Sequence, residues 1–182
     1  MAGTALIFRL DRVTTPTGPM RVLTDEEGRI RSIDWDDHQP RMEALLRRHY
    51  GMGYRIVEAN APAAAAHALE AYFDGDLAAI DALPVATNGT EFQRLCWAAL
   101  RAIPAGAPAS YAALAARIGR PNAVRAVGHA NGANPISIVV PCHRLIGSDA
   151  ALTGYGGGIA RKRWLLDHER AHAGADVREL AL

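Results

Sequence analysis

Cysteine is scarce: two residues in 182, Cys96 and Cys142, and they form no CxxC pair. That is too few for a disulfide framework, so a reducing compartment, the cytoplasm, is the expected setting. The seven histidines are scattered. The one HxxxH pair, His168 and His172, has no Cys/His cluster at zinc spacing beside it, so no metal site is expected, and no cofactor either. No run approaches the roughly 18 consecutive apolar residues of a membrane span, so a membrane is not an expected partner. The opening "MAGTALIFRLDRV" has arginine and aspartate directly after a short apolar run and no basic leader. It is not expected to act as a secretory signal. No internal repeat is visible.

What is present suits a globular chain. It is 49% apolar, and its length allows one large domain or two small ones. The formal net charge of +1 hides an uneven spread. Residues 1–89 carry 9 Lys/Arg against 13 Asp/Glu, and residues 90–182 carry 11 against 6. Between Arg117 and Arg163 seven basic residues meet one acid, Asp149. Such a local excess suits a polyanion partner, and equally a solvated arginine-rich face.

The first half reads as mixed α/β. In "ALIFRLDRVTTPTGPMRVLTDEEGRIRSIDWDD" three short apolar runs are separated by the turn chemistry of "TPTGP" and "DEEG", which predicts an antiparallel meander. "PRMEALLRRHYG" predicts a helix ending at Gly51, and "YRIVEA" another strand. "APAAAAHALEAYFDGD" predicts a helix with Leu69, Tyr72 and Phe73 on one stripe, stopped at Gly75. The boundary falls in "LAAIDALPVATNG", which gives a first domain over 1–87, a second over 88–170 and a polar tail over 171–182.

The second half reads as mainly helical. In "TEFQRLCWAALRAI" residues Phe92, Leu95, Cys96, Ala99, Leu100 and Ile103 recur at helical spacing behind the N-cap Thr90. Cys96 on that stripe reads as a small core residue. "SYAALAARIG", capped by Ser110 and ended by Gly119, and "NAVRAVGHANGANP", opened by Pro121, make two short helices about the turn "GRP". That is the outline of a helix-turn-helix. "IARKRWLLDHE" predicts a last amphipathic helix with Ile159, Trp164 and Leu165 inward.

"IVVPCHRLIGSD", residues 138–149, poses the functional question. Cys142 could be a buried thiol, a metal ligand or a nucleophile. Pro141 is expected to end a strand-like "SIVV", setting the thiol at a turn rather than inside a ladder. His143 and Arg144 follow at once, and neighbouring cations lower a thiol's pKa. In an extended segment Cys142 and His143 would point to opposite sides, so a water could bridge them. Asp167 and Glu169 are both candidates to orient the histidine, by the logic of nucleophile, base and orienter.

"PCHR", preceded by "NPISIVV" and followed by "GYGGGIARKRWLLDHE", resembles the signature of the O6-alkylguanine-DNA alkyltransferases, the methylated-DNA–protein-cysteine methyltransferases. "GTEFQRLCW", "SYAALA" and "NAVRAVGHANGANP" resemble further blocks of that family in the same order. The likeness is close over residues 89–169, and "AYFDGD" is its landmark in the first half. It implies a ribonuclease-H-like α/β domain followed by a mainly helical, winged helix-turn-helix-like domain. It also implies a monomer that can assemble cooperatively on DNA. The implied activity is direct-reversal repair: one irreversible transfer of the alkyl group from O6-alkylguanine, with O4-alkylthymine as a second substrate, in double-stranded DNA entered through the minor groove.

The resemblance also implies roles. Cys142 would be the acceptor, His143 its base through water, and Glu169 the group holding His143. Tyr111 would donate a proton to the leaving base. Asn134 would fix the turn before the cysteine. Tyr155 and the backbone at Gly156 would line the pocket. Arg125 would enter the stack vacated by the flipped base, with the small residues Ala123 and Gly128 on its helix allowing close approach. Some relatives carry serine or alanine where Gly156 stands and proline where Ser137 stands, which bears on alkyl-size preference. Relatives that sense lesions without repair have tryptophan in place of the cysteine. Rival readings are a lesion-binding sensor without chemistry and a cysteine hydrolase.

Overall fold

The structure, a computed structural model, describes residues 5–174. Three strands, β1 (Leu6–Val13), β2 (Met20–Thr24) and β3 (Ile30–Trp35), form the expected antiparallel meander. Helix α1 (Gln39–Tyr50) crosses over to β4 (Tyr54–Glu58), which lies parallel to β1 and gives the order β3-β2-β1-β4. Alternation along the strands sends Phe8, Leu10 and Leu23 to one face, under Met42 and Leu46 of α1. Val13, Met20, Val22, Ile33 and Trp35 go to the other face, where the second half of the chain packs. Gly51 ends α1 as predicted, at φ +60°, where a side chain would be strained.

All six residues of β3 are buried although β3 is an edge of its sheet. The connector between the halves and the second half cover that edge. Ile30 pairs with Val85, and Ile33 exchanges backbone hydrogen bonds with Pro135 and Ser137, both at 3.0 Å. The first sheet therefore registers the segment that leads to Cys142. Helix α2 (Ala64–Phe73) buries Ala65, Ala66, Leu69, Tyr72 and Phe73 and stops before Gly75 at φ +107°.

Helix α3 (Glu91–Arg101) opens on a capping box in which Thr90 and Gln93 exchange side-chain and backbone bonds. Its stripe holds for Cys96 and Leu100, but Leu95 is 43% exposed and Trp97 takes the inward place, its indole bonded to the Ala130 carbonyl. A two-residue parallel ladder joins β5 (Ala109–Ser110), just before α4 (Tyr111–Arg117), to β6 (Leu145–Ile146), just after the cysteine turn. Helix α5 (Val124–Gly132) starts later than Pro121 because Ala123 is its cap, so the turn after α4 is longer than "GRP". Helix α6 (Ile159–His172) closes the fold, running past Arg170. Its inward face is Lys162, Leu165, His168 and Glu169, whereas Ile159 is exposed. Apolar periodicity missed this face because two of its four members are charged. The proposed tail lies largely outside the described residues.

Candidate active site

The approach to Cys142 is not the expected strand. Residues 135–141 form tight turns, and Cys142–Arg144 is a single 3-10 turn. Asn134, fully buried, causes this. Its amide donates to the carbonyls of Val140 (2.8 Å) and Ile136 (3.2 Å), and its Oδ1 accepts from Ile136 N (2.9 Å). One side chain thus replaces ladder bonds and curls the loop. Within it Ile138 sits at φ +71°, a conformation that costs a β-branched residue about 1–3 kcal/mol.

Cys142 is 4% exposed. Burial pushes its thiol up, opposed by the Asn134 amide and by the charges of Arg41 and Lys162. Its carbonyl accepts from Asn131 Nδ2 at 3.3 Å. His143 is completely buried, and burial lowers its pKa against the pull of Glu169. His143 Nε2 lies 2.7 Å from Glu169 Oε1, and Nδ1 has no partner within the protein. Despite burial, His143 and Arg144 hold Glu169 far below the ordinary carboxylate range. A carboxylate only accepts, so Nε2 must carry the proton, which leaves the Nδ1 lone pair as a free base. Arg144 clamps both Glu169 oxygens through Nε, at 3.1 and 3.0 Å, and anchors on the Ile103 carbonyl. Asp167, the other candidate orienter, is exposed.

The remaining predicted residues lie around this core. Tyr111 begins α4, its hydroxyl 2.9 Å from Thr153 Oγ1. Tyr111, Arg125, Gly128 and Thr153 line a cleft of about 470 Å³ with Asn131, whose amide reaches back to the Cys142 carbonyl. Arg125 is exposed on α5, and Ala123 is the cap of that helix. Tyr155 packs edge-on to Trp35 and His143, with a buried hydroxyl that has no partner within the protein. A Cβ on Gly156 would lie 2.7 Å from the guanidinium carbon of Arg41.

Two charges of the first domain, Arg41 and Asp34, are here as well. Arg41 bonds Asp34 (2.7 Å) and the carbonyls of Gly132 and Asn134 (3.1 Å each). The basic stretch is thinner at the surface than its count suggests. Arg144 and Lys162 are buried, and Arg161 stacks on Trp35 and pairs with Asp37. Arg117, Arg120, Arg125 and Arg163 remain exposed.

Residues 12–87 match the ribonuclease-like domain of 6-O-methylguanine DNA methyltransferase and residues 91–171 its DNA-binding domain. The methylated-DNA–protein-cysteine methyltransferase of Salmonella typhimurium is 56% identical over 87% of this chain and 94% of its own length. The chain belongs to the 6-O-methylguanine DNA methyltransferase family. The Shigella flexneri methyltransferase is 51% identical over the same shares. Among solved structures of the family, the Mycobacterium tuberculosis OGT in complex with DNA superposes with a TM-score of 0.72 at 36% identity, covering 94% of this chain and 98% of that one. In this member, Asn131, Arg41, Asp34, Lys162 and Tyr72 reach the site without having been predicted. Asn131 carried a signal, three residues beyond Gly128 on one helix face. Arg41, Asp34 and Tyr72 carried none, because long-range contacts leave no local pattern.

Proposed function

We propose that this protein repairs O6-alkylguanine in double-stranded DNA by moving the alkyl group irreversibly to Cys142. The observation that carries the reading is the free Nδ1 of His143 beside a buried Cys142, with Nε2 committed to Glu169. The thiol proton passes through water to Nδ1. The sulfur forms a bond to the alkyl carbon as the carbon–O6 bond breaks, and that electron pair leaves on the guanine. Tyr111 supplies the proton that neutralises the base. The products are an S-alkylcysteine and restored guanine. No group among the described residues is suited to cleaving a thioether, so each molecule acts once.

Cys142 is buried, tied by its carbonyl to the Asn131 that lines the cleft, and so out of reach of a stacked base. The lesion must therefore flip out, at a few kcal/mol. Arg125 fills the gap from the minor groove, Ala123 and Gly128 keep the helix face small, and Tyr155 and the Gly156 backbone flank the flipped base. The division at 87/88, a cytoplasmic location and a monomer that assembles cooperatively on DNA belong to the same reading. Intact-protein mass spectrometry after incubation with a duplex carrying one O6-methylguanine tests it. A single gain of about 14 Da, absent in Cys142→Ala, is the expected covalent signature. A duplex carrying O4-methylthymine extends the test to the second substrate. Lesion binding with no mass gain would make the protein a sensor instead.

A further inference from the structure

Glu169 Oε1 accepts from three directions. His143 Nε2 approaches at 2.7 Å and Arg144 Nη2 at 2.9 Å, both from the cysteine turn. The third donor comes from the other domain: Tyr72 on α2 places its hydroxyl 2.8 Å from the same oxygen, and both side chains are fully buried. Oε2 takes Arg144 Nε and, at 3.4 Å, Gly106 N. A carboxylate oxygen has two lone pairs. Tyr72 and His143 therefore compete for the electron density of one atom, and whatever the phenol draws is withdrawn from the imidazole.

We propose that Tyr72 is a positioning residue for the alkyl transfer, setting through Glu169 how readily His143 accepts the proton of Cys142. The inference rests on the reading of His143 as base. The charged and titratable groups around the pair are His143 and Arg144 on the turn, Lys162 and His168 on α6, and Tyr155 on the loop before it. His168 Nε2 bonds the Tyr72 carbonyl at 2.8 Å, which fixes α2 against α6 and aims the phenol. With the hydroxyl present, Glu169 is a weaker acceptor for His143, so the imidazolium is less favoured and the free base persists to lower pH. Without it, Glu169 grips His143 harder and protonation of the imidazole begins at higher pH.

The test is the pH dependence of single-turnover methyl transfer in the wild type and Tyr72→Phe, with thermal midpoints measured alongside. The acid limb of the variant is expected to move up by roughly half a pH unit, the size of a partial loss of one charge-assisted bond, with the alkaline plateau kept within about threefold. Site-specific 3-fluorotyrosine at position 72, a stronger donor of the same shape, is expected to move the limb down, and it serves if the Phe variant fails to fold. A lowered thermal midpoint with an unmoved acid limb would overturn the inference and reduce Tyr72 to packing. A wild type that gains no methyl group would instead overturn the repair reading, so the two failures are distinct.

Discussion

At rest Cys142 is a thiol and His143 a neutral imidazole, because burial disfavours the charged form of each. In the proposed mechanism the reaction therefore begins not from a preformed thiolate but with proton transfer to Nδ1. Transfer should rise with pH as the imidazole loses its proton. Since His143 is held below its ordinary 6.5, the midpoint of that rise is expected under pH 6.5. Single-turnover rates across pH 5–8, read by quenched-flow mass spectrometry, check it, and a midpoint above 7 would remove His143 as base. In the proposed mechanism Tyr111 acts on the other side of the bond being broken. Tyr111→Phe keeps the ring and loses both the acid and the bond to Thr153. A general acid contributes on the order of 100-fold or more, so transfer should slow by that factor while lesion affinity changes little.

The decisive element is the turn from Asn134 to Arg144. Asn134→Ala removes three hydrogen bonds inside a loop that also holds Ile138 at positive φ. A loss of about 2–3 kcal/mol is expected in urea unfolding. The displaced sulfur should slow transfer on the order of 100-fold. This element shows where sequence reading reached its limit. The motif "NPISIVVPCHR" and the turn at Asn134 were legible, and so were the meander, the caps at Thr90 and Ser110 and the last helix, since local pattern and turn chemistry determine them. The run "SIVV" read as strand-like, yet side-chain bonds from Asn134 and edge pairing with β3 override that propensity. Likewise Lys162 and Glu169 break the apolar stripe of α6, because their partners Thr153, His143 and Arg144 lie on other elements. Contacts between distant segments leave no mark on local spacing.

Across the molecule, the two halves share one core and several buried charges, so stability and pH are linked. His143 and Glu169 both have folded pKa values below their ordinary 6.5 and 4.5. A depressed folded value means a contribution fully present above the ordinary value and lost as pH falls. Acid should thus destabilise the protein in two stages, beginning below pH 6.5 and steepening below 4.5, as calorimetry would register. Alkylation acts on the same shared core. The S-alkyl group adds volume at a site 4% exposed, on a loop held by Asn134 and near Tyr155. Overpacking of this kind costs about 1–3 kcal/mol. For a chain of this size each kcal/mol moves the midpoint by roughly 2–4 °C. The methylated protein is therefore expected to melt several degrees below the free one, and the benzylated protein lower still. An unchanged midpoint after full methylation would mean that the pocket already holds room for the transferred group. The loop then need not move when the lesion is repaired.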